Sequence, residues 1–250
     1  MSKKIYISPS DQTANTYASG NTTEAIQCRA IAKLLVEDLK RCGFQSKTNT
    51  VDGMYARVEE SNNWGADLHV CIHTNACNGN VAGTRLFCYK IGGQGHDVCK
   101  KVMETLAPIT PGNSDGITAR PELYETRATN APCCYIEIEF HDNPTVAAWI
   151  ITHKHEISEA IAKGICNYYG VKYITNTSTD VPDVAILNGE KFYKTLGSVT
   201  DKYYRPTLDK LVKNGILRGQ GGTGDDMIIN LYENDIRILV MLDRAGSFDK

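Results

Sequence analysis

No stretch of this chain approaches the twenty or so consecutive apolar residues that a membrane-spanning helix requires, so insertion into a bilayer is not expected. A secretory signal is also missing. Met1-Ser2-Lys3-Lys4 is basic, but only Ile5-Tyr6-Ile7 follows before Ser8-Pro9-Ser10, where a signal needs roughly 7–15 apolar residues. The expectation is synthesis in the cytoplasm without a signal peptide. Positive charge is not in excess: the formal net charge is -2 over 250 residues. A nucleic-acid partner, which calls for a basic footprint, is therefore not expected. Cysteine is not scarce but lacks pattern. The nine cysteines all lie between Cys28 and Cys166. An odd count without CxxC spacing argues against a disulfide framework and for reduced packing residues. No strict internal repeat is visible.

What is present is an alternation of strand-like and helix-like segments. Residues 4–8 read as a short strand, followed by a polar loop to Asn21. Ile26, Ile31, Leu34, Leu35 and Leu39 then recur at roughly helical spacing, closed by Cys42-Gly43. Asn21 is placed to cap that helix, with Glu24 three positions on. Strands are expected over 44–50, 68–73, 83–89 and 133–138, and helices over 54–64, 94–108 and 144–169. This order implies an α/β domain with a mostly parallel sheet and helices on both faces. Such a sheet carries its chemistry beyond the carboxyl ends of its strands. The polar runs Ser8-Pro9-Ser10-Asp11, His73-Thr74-Asn75 and Glu137 to Asn143 fall at those ends.

After Tyr173 the composition changes. Residues 174–184 are polar and aperiodic and read as a linker between a domain over 1–173 and a smaller one over 185–250. The smaller one is expected to be mainly helical. Its amphipathic segments run from Tyr203 to Asn214 and from Ile236 to Arg244, separated by the Gly- and Asp-rich turn 221–226.

Three residues have the chemistry of a metal-dependent hydrolase, which needs N and O ligands, an open position for water and a nearby base. His73 ends a strand. Glu24 stands at a helix start. Glu137 lies in an apolar strand run where an unpaired carboxylate is costly to bury. Each also has a structural reading: a hydrogen-bonded strand histidine, a helix-capping glutamate, and, with Glu139, one face of an edge strand. Spacing alone goes no further than a possible hydrolase.

The first 170 or so residues resemble the amidase-3 family of N-acetylmuramoyl-L-alanine amidases. Lys4-Ile5-Tyr6-Ile7-Ser8-Pro9-Ser10 stands where that family has its first strand and "DPGHG" loop. Arg57-Val58-Glu59-Glu60-Ser61-Asn62 is similar to its "R…AN" segment, and Ala66 to Ala76 to "ADLFISIHANA". Gly83-Thr84-Arg85-Leu86-Phe87 takes the place of "GxEv", and Arg127 to Phe140 that of "R…aPavLvEiGF". The resemblance implies a zinc-dependent peptidoglycan hydrolase that cleaves the amide bond between N-acetylmuramic acid and L-alanine. It implies Glu24 and His73 as Zn2+ ligands and Glu137 as the catalytic carboxylate. Arg127, Asn75 and His141 are expected to contact substrate.

The chain departs from the family at the first ligand, the His of "DPGHG". The segment 11–20 contains no His. Asp11, 13 positions before Glu24, is the expected replacement, and the adjacent Gln12 is expected to be a poor zinc ligand. A ligand from elsewhere, such as His141 or His96, a water, or a weakened site are the alternatives. His69, deeper on the His73 strand, is expected to be buried and hydrogen-bonded. The C-terminal piece weakly resembles part of a surface-layer-homology-like unit, which implies attachment to cell-wall polymer. A dimerisation element is the other expectation for it. The whole reads as an endolysin or autolysin acting on the cell wall after release. The alternatives are a catalytically weakened wall-binding protein on the same fold and a zinc peptidase acting on the stem peptide.

Overall fold

Residues 2–175, 184–187 and 190–248 are described by the structure, a computed structural model. The chain divides into two compact units, one of residues 1–18 and 22–176, the other of 19–21 and 177–250. Among the described residues, no helix is long and apolar enough to cross a membrane. Most of the linker expected over 174–184 lies outside the described residues.

The first unit is built on six strands: β1 (Lys4–Pro9), β2 (Gln45–Thr48), β3 (Leu68–Asn75), β4 (Arg85–Cys88), β5 (Gly116–Ala119) and β6 (Cys133–Phe140). Their order in the sheet is β2-β1-β3-β6-β4-β5. All neighbours run parallel except β4 and β6. The mostly parallel α/β architecture follows from the sequence pattern. β5 has no sequence signal of its own, because four residues are too few to show a period. β6 is central, not an edge strand. Its ladder with β3 is irregular: two steps of β3, His73 to Asn75, oppose three of β6, Glu137 to Phe140. An extra residue of this kind re-aims the side chains that follow it. Glu139 accordingly does not share the surroundings of Glu137. It is fully buried and accepts hydrogen bonds from the amides of Gly83 (2.6 Å) and Gly112 (2.9 Å).

The helices of this unit are α1 (Glu24–Arg41), α2 (Met54–Trp64), α3 (Gln94–Leu106), α4 (Tyr124–Ala128), α5 (Pro144–Thr152) and α6 (Lys154–Tyr169). α1, α3 and α6 pack together through Ile31, Leu35, Val98, Val102, Ile157, Ile161 and Ile165, all fully buried. Gly164 lets α6 approach α3 closely: a Cβ there would lie 2.5 Å from the Val102 Cα. α2 and α4 cover the other face of the sheet, where Ser61 and Glu125 meet His69. Helix α1 begins two residues later than the capping expectation. Thr23 is its N-cap, and Asn21 sits in a left-handed turn at φ 44°. Glu24 therefore occupies the first helical position, where the positive end of the helix dipole favours a carboxylate.

The second unit holds β7 (Val184–Leu187), β8 (Glu190–Thr195), α7 (Arg205–Lys213), β9 (Ile228–Tyr232) and α8 (Glu233–Arg244). Both expected helices are present. Beside them stands an antiparallel sheet of order β7-β8-β9 that the sequence reading did not include. Its strands are short, and Asn230 breaks the regular φ of β9 at +47°, so their period was too brief to read. Phe192, Tyr193, Leu208, Leu211, Ile236 and Leu239 form the core of this unit. In the Gly- and Asp-rich turn, Asp225 pairs with Arg205 at 2.5 Å.

Candidate active site

The carboxyl ends of β1, β3 and β6 bring three distant parts of the chain to one rim of the sheet. His73 leaves β3 there, buried to 5% exposure. Its Nδ1 lies 2.9 Å from Oε1 of Glu24, which is 1% exposed at the first turn of α1. Glu137 is the register partner of His73 on β6. The ring of Tyr135, two residues before Glu137, stacks on the His73 imidazole at 4.5 Å and 18°. This contact fixes the plane of the imidazole and with it the direction of both ring nitrogens.

Glu24 is held from several sides. Asn15 donates from Nδ2 to Glu24 Oε2 (2.7 Å) and also to Gln12 Oε1 (2.8 Å). The Thr74 amide faces Glu24 Oε1 at 3.4 Å. Burial pushes the Glu24 carboxyl up, but the His73 imidazole, with Asn15 and Ser10, brings it below the ordinary value. Burial lowers the His73 imidazole, and Glu24 and Glu137 together raise it above its ordinary value. Glu137 goes the other way. Burial, with Glu24 nearby, pushes its carboxyl up to about 7, against the pull of His73 and Arg120. Two buried polar atoms at this rim have no hydrogen-bond partner among the described residues: Nε2 of His73 and Oε2 of Glu137. Buried polar atoms are rarely left unpaired, so both are free for a ligand or a water.

The other expected site residues fall elsewhere. Asp11 turns to Arg57, with Oδ2 2.8 Å from Nη1 of a guanidinium that is only 2% exposed. Gln12, the next residue, faces His73 instead, with Nε2 3.4 Å from Nδ1. His141 is built into the opposite side of the loop. Its Nδ1 meets Thr74 Oγ1 (2.9 Å), and its ring stacks on Tyr17 at 5.1 Å. Asn75 Oδ1 caps the Ala76 amide (2.8 Å). Arg127 is exposed, lies over the Tyr124 ring and donates to the Glu122 carbonyl. It lines a cavity of ≈ 240 Å³ together with Gln94, Gly95 and Cys133, at the amino end of β6 and thus at the far edge from Glu137. His96, beside Gly95, belongs to that same end.

Sequence reasoning set Gln12 aside as a poor zinc ligand and did not single out Asn15 or Tyr135. Gln12 and Asn15 sit three apart in the polar loop after β1, and Tyr135 alternates with Glu137 on β6. Those spacings were the available signals.

A second group with ligand chemistry lies deeper on β3. The ligand atoms of His69, Cys71 and Glu125 fall within 4.8 Å of one another, all buried. This group is already internally paired. Glu125 accepts from Ser8 Oγ (2.5 Å), meets His69 Nε2 (3.3 Å) and faces Arg57 Nε at 3.9 Å. His69 Nδ1 meets Ser61 Oγ at 3.0 Å. Burial raises the Glu125 carboxyl, yet His69 and Ser8 bring it down to about 2.

As sequences go, residues 6–167 match the model of the Amidase_3 family, described as N-acetylmuramoyl-L-alanine amidase. An uncharacterized 38.4 kDa protein of Clostridium perfringens is 26% identical over 182 residues, spanning 68% of this chain and 52% of that relative. An uncharacterized cell wall amidase of Bacillus anthracis is 28% identical over 131 residues, spanning 48% of this chain and 24% of the relative. The chain thus spans about half the length of the first of these curated relatives and about a quarter of the second. Among solved structures, the catalytic domain of CwlV, an N-acetylmuramoyl-L-alanine amidase from Bacillus (Paenibacillus) polymyxa, superposes with a TM-score of 0.62 at 20% identity. That match covers 68% of this chain and 99% of the CwlV domain.

Proposed function

Because the chain belongs to the N-acetylmuramoyl-L-alanine amidase family, matched over well more than half its length, we propose that it is a peptidoglycan hydrolase. It cuts the amide bond between N-acetylmuramic acid and the L-alanine of the stem peptide. The observation that carries this reading is the meeting of Glu24 and His73 at 2.9 Å beside the unpaired Glu137 carboxylate.

An imidazole nitrogen and a carboxylate oxygen converging in this way are donors that zinc takes, and the two orphaned atoms leave room for ligand and water. Glu24 and His73 would hold the ion, which when bound supplies Lewis acidity and an acidified water. The rest falls to the protein's own residues. Tyr135 and Asn15 fix the directions of His73 and Glu24. Glu137, its carboxyl pushed up to about 7 by burial, is poised to take a proton from the attacking water near neutral pH and return it to the leaving amine. The C-terminal unit we assign to attachment on the wall polymer, which raises the effective concentration of the catalytic unit on its substrate.

The test is digestion of purified peptidoglycan with mass spectrometry of the fragments. New L-alanine amino termini are the expected product. Cleavage confined to bonds within the stem peptide would replace this reading with that of a peptidase. One observation favours a second reading: the residue facing His73 next to Glu24 is the carboxamide of Gln12 rather than a third strong ligand. A protein that sediments with cell walls and releases no amine would be a wall-binding member of the family.

A further inference from the structure

The surroundings of His73 Nδ1 are contradictory as hydrogen bonding. One ring nitrogen carries at most one hydrogen. If Nδ1 donates to Glu24 Oε1 at 2.9 Å, it confronts the N–H of Gln12 Nε2 at 3.4 Å; if it accepts from Gln12, it confronts the carboxylate oxygen. A half-turn of the Gln12 carboxamide, which exchanges groups of nearly equal shape, does not remove the conflict. Two oxygens would then face one nitrogen. A nitrogen lone pair and two oxygens directed at a common point are instead the donor set of a divalent cation.

Asp11 is not free to join that set. Its carboxylate is engaged by Arg57, a fully buried guanidinium, at 2.8 Å. Withdrawing it would leave a buried cation without its closest partner. Gln12 is an exposed residue whose carboxamide reaches the rim with one competing side-chain bond, from Asn15.

We propose that Gln12, through its carboxamide oxygen, is the third protein ligand of a divalent cation held by Glu24 and His73, in place of Asp11. This rests on the assignment of Glu24 and His73 as ligands. The set has one imidazole, one carboxylate and one neutral amide oxygen, and coordination by Gln12 gives up the Asn15 bond. Zinc is therefore held more weakly than by two imidazoles and a carboxylate.

The experiment measures Zn2+ affinity of the full chain by competition with a chromophoric chelator, and the visible spectrum of the Co2+-loaded protein, for four variants. Gln12→Ala is expected to weaken Zn2+ binding at least tenfold, and Gln12→His to tighten it at least tenfold and change the Co2+ spectrum. Asp11→Asn is expected to change affinity less than threefold. His73→Ala is expected to lose the ion. Circular dichroism checks that each variant folds. Wild-type affinity in Gln12→Ala, or a loss in Asp11→Asn as large as that expected for Gln12→Ala, overturns the proposal while leaving Glu24 and His73 in place. Stoichiometric zinc in His73→Ala, or none in the wild type, overturns the ligand pair itself and the proposal with it.

Discussion

His69 and His73 stand on the same face of β3, four residues apart, and each meets a carboxylate: Glu125 in the interior, Glu24 at the rim. Around His69 both ring nitrogens and the Glu125 carboxylate have hydrogen-bond partners, while Nε and Nη1 of the adjacent Arg57 make ion-pair contacts without hydrogen bonds. Ser61 and Ser8 take the remaining positions, and Arg57 faces both Glu125 and Asp11. Around His73 the imidazole and the carboxylates are not all paired. Its Nε2 and the neighbouring Glu137 Oε2 are buried without partners, and its Nδ1 has two neighbours it cannot serve together. A satisfied buried network specifies a structure, whereas a strand end with unpaid polar atoms is prepared for something that arrives later. Ligand chemistry alone would rank the two clusters alike; the hydrogen bonding of their imidazoles and carboxylates, complete at His69 and Glu125 and incomplete at His73 and Glu137, separates them.

That contrast breaks most visibly on activity. Glu137→Gln should lower amide cleavage of purified peptidoglycan by about 10²–10⁴-fold without altering the far-ultraviolet circular dichroism. A variant within threefold of wild type would leave Glu137 without its assigned role. The interior cluster should respond in stability instead. Glu125→Gln removes one of the two carboxylates that face the buried Arg57 and the acceptor of His69 and Ser8, and urea unfolding should report a loss of about 3 kcal/mol, while the remaining folded protein still binds zinc.

The two carboxylates should also have opposite pH signatures in the metal-free protein. The Glu125 carboxyl is held down at about 2. Its contribution is complete above the ordinary value near 4.5 and is lost as pH falls toward 2. The Glu137 carboxyl is pushed up to about 7, so the folded state holds its proton longer than the unfolded chain. The Glu137 contribution to stability therefore declines as pH rises from 4.5 to about 7 and then levels. Removing that ionisation with Glu137→Gln should make the protein about 3 kcal/mol more stable than wild type at pH 8 and indistinguishable at pH 4. Equal unfolding midpoints at both pH values would show that Glu137 ionises freely. The smallest effect belongs to Asn15→Ala. The loss of one hydrogen bond to Glu24 should cost about 1 kcal/mol, read as roughly fivefold weaker zinc binding by chelator competition.

Much of this was legible in the sequence because it depends on period and order. The long helices, β1, β3 and β6 announced themselves through alternation, and with them the rim where Glu24, His73 and Glu137 lie. What stayed hidden depends on local backbone. The start of α1 at Glu24 rather than at an Asn21 cap moves that side chain from a capping role onto His73. The exchange of Asp11 for Gln12 is a matter of which of two adjacent loop residues a buried arginine claims, and Arg57 lies 46 positions further on. β5 and the strands of the C-terminal unit are too short for their pattern to rise above that of a loop. Arg127 looked like a rim residue because it precedes the β6 motif, but preceding a strand means standing at its amino end.

The reversed pair of strands, β4 and β5, has a consequence for how this rim can change. Because β4 runs against β6, residues 76–84 leave β3 and enter β4 on the same side of the sheet, without a crossing. Asp142 and Glu139 pin this hairpin-like excursion by its own amides at Cys77, Gly79 and Gly83. Insertions between those anchors would raise a taller bank beside the rim while every strand and helix beneath kept its place. The height of that bank and the integrity of the scaffold can thus be altered independently in this molecule.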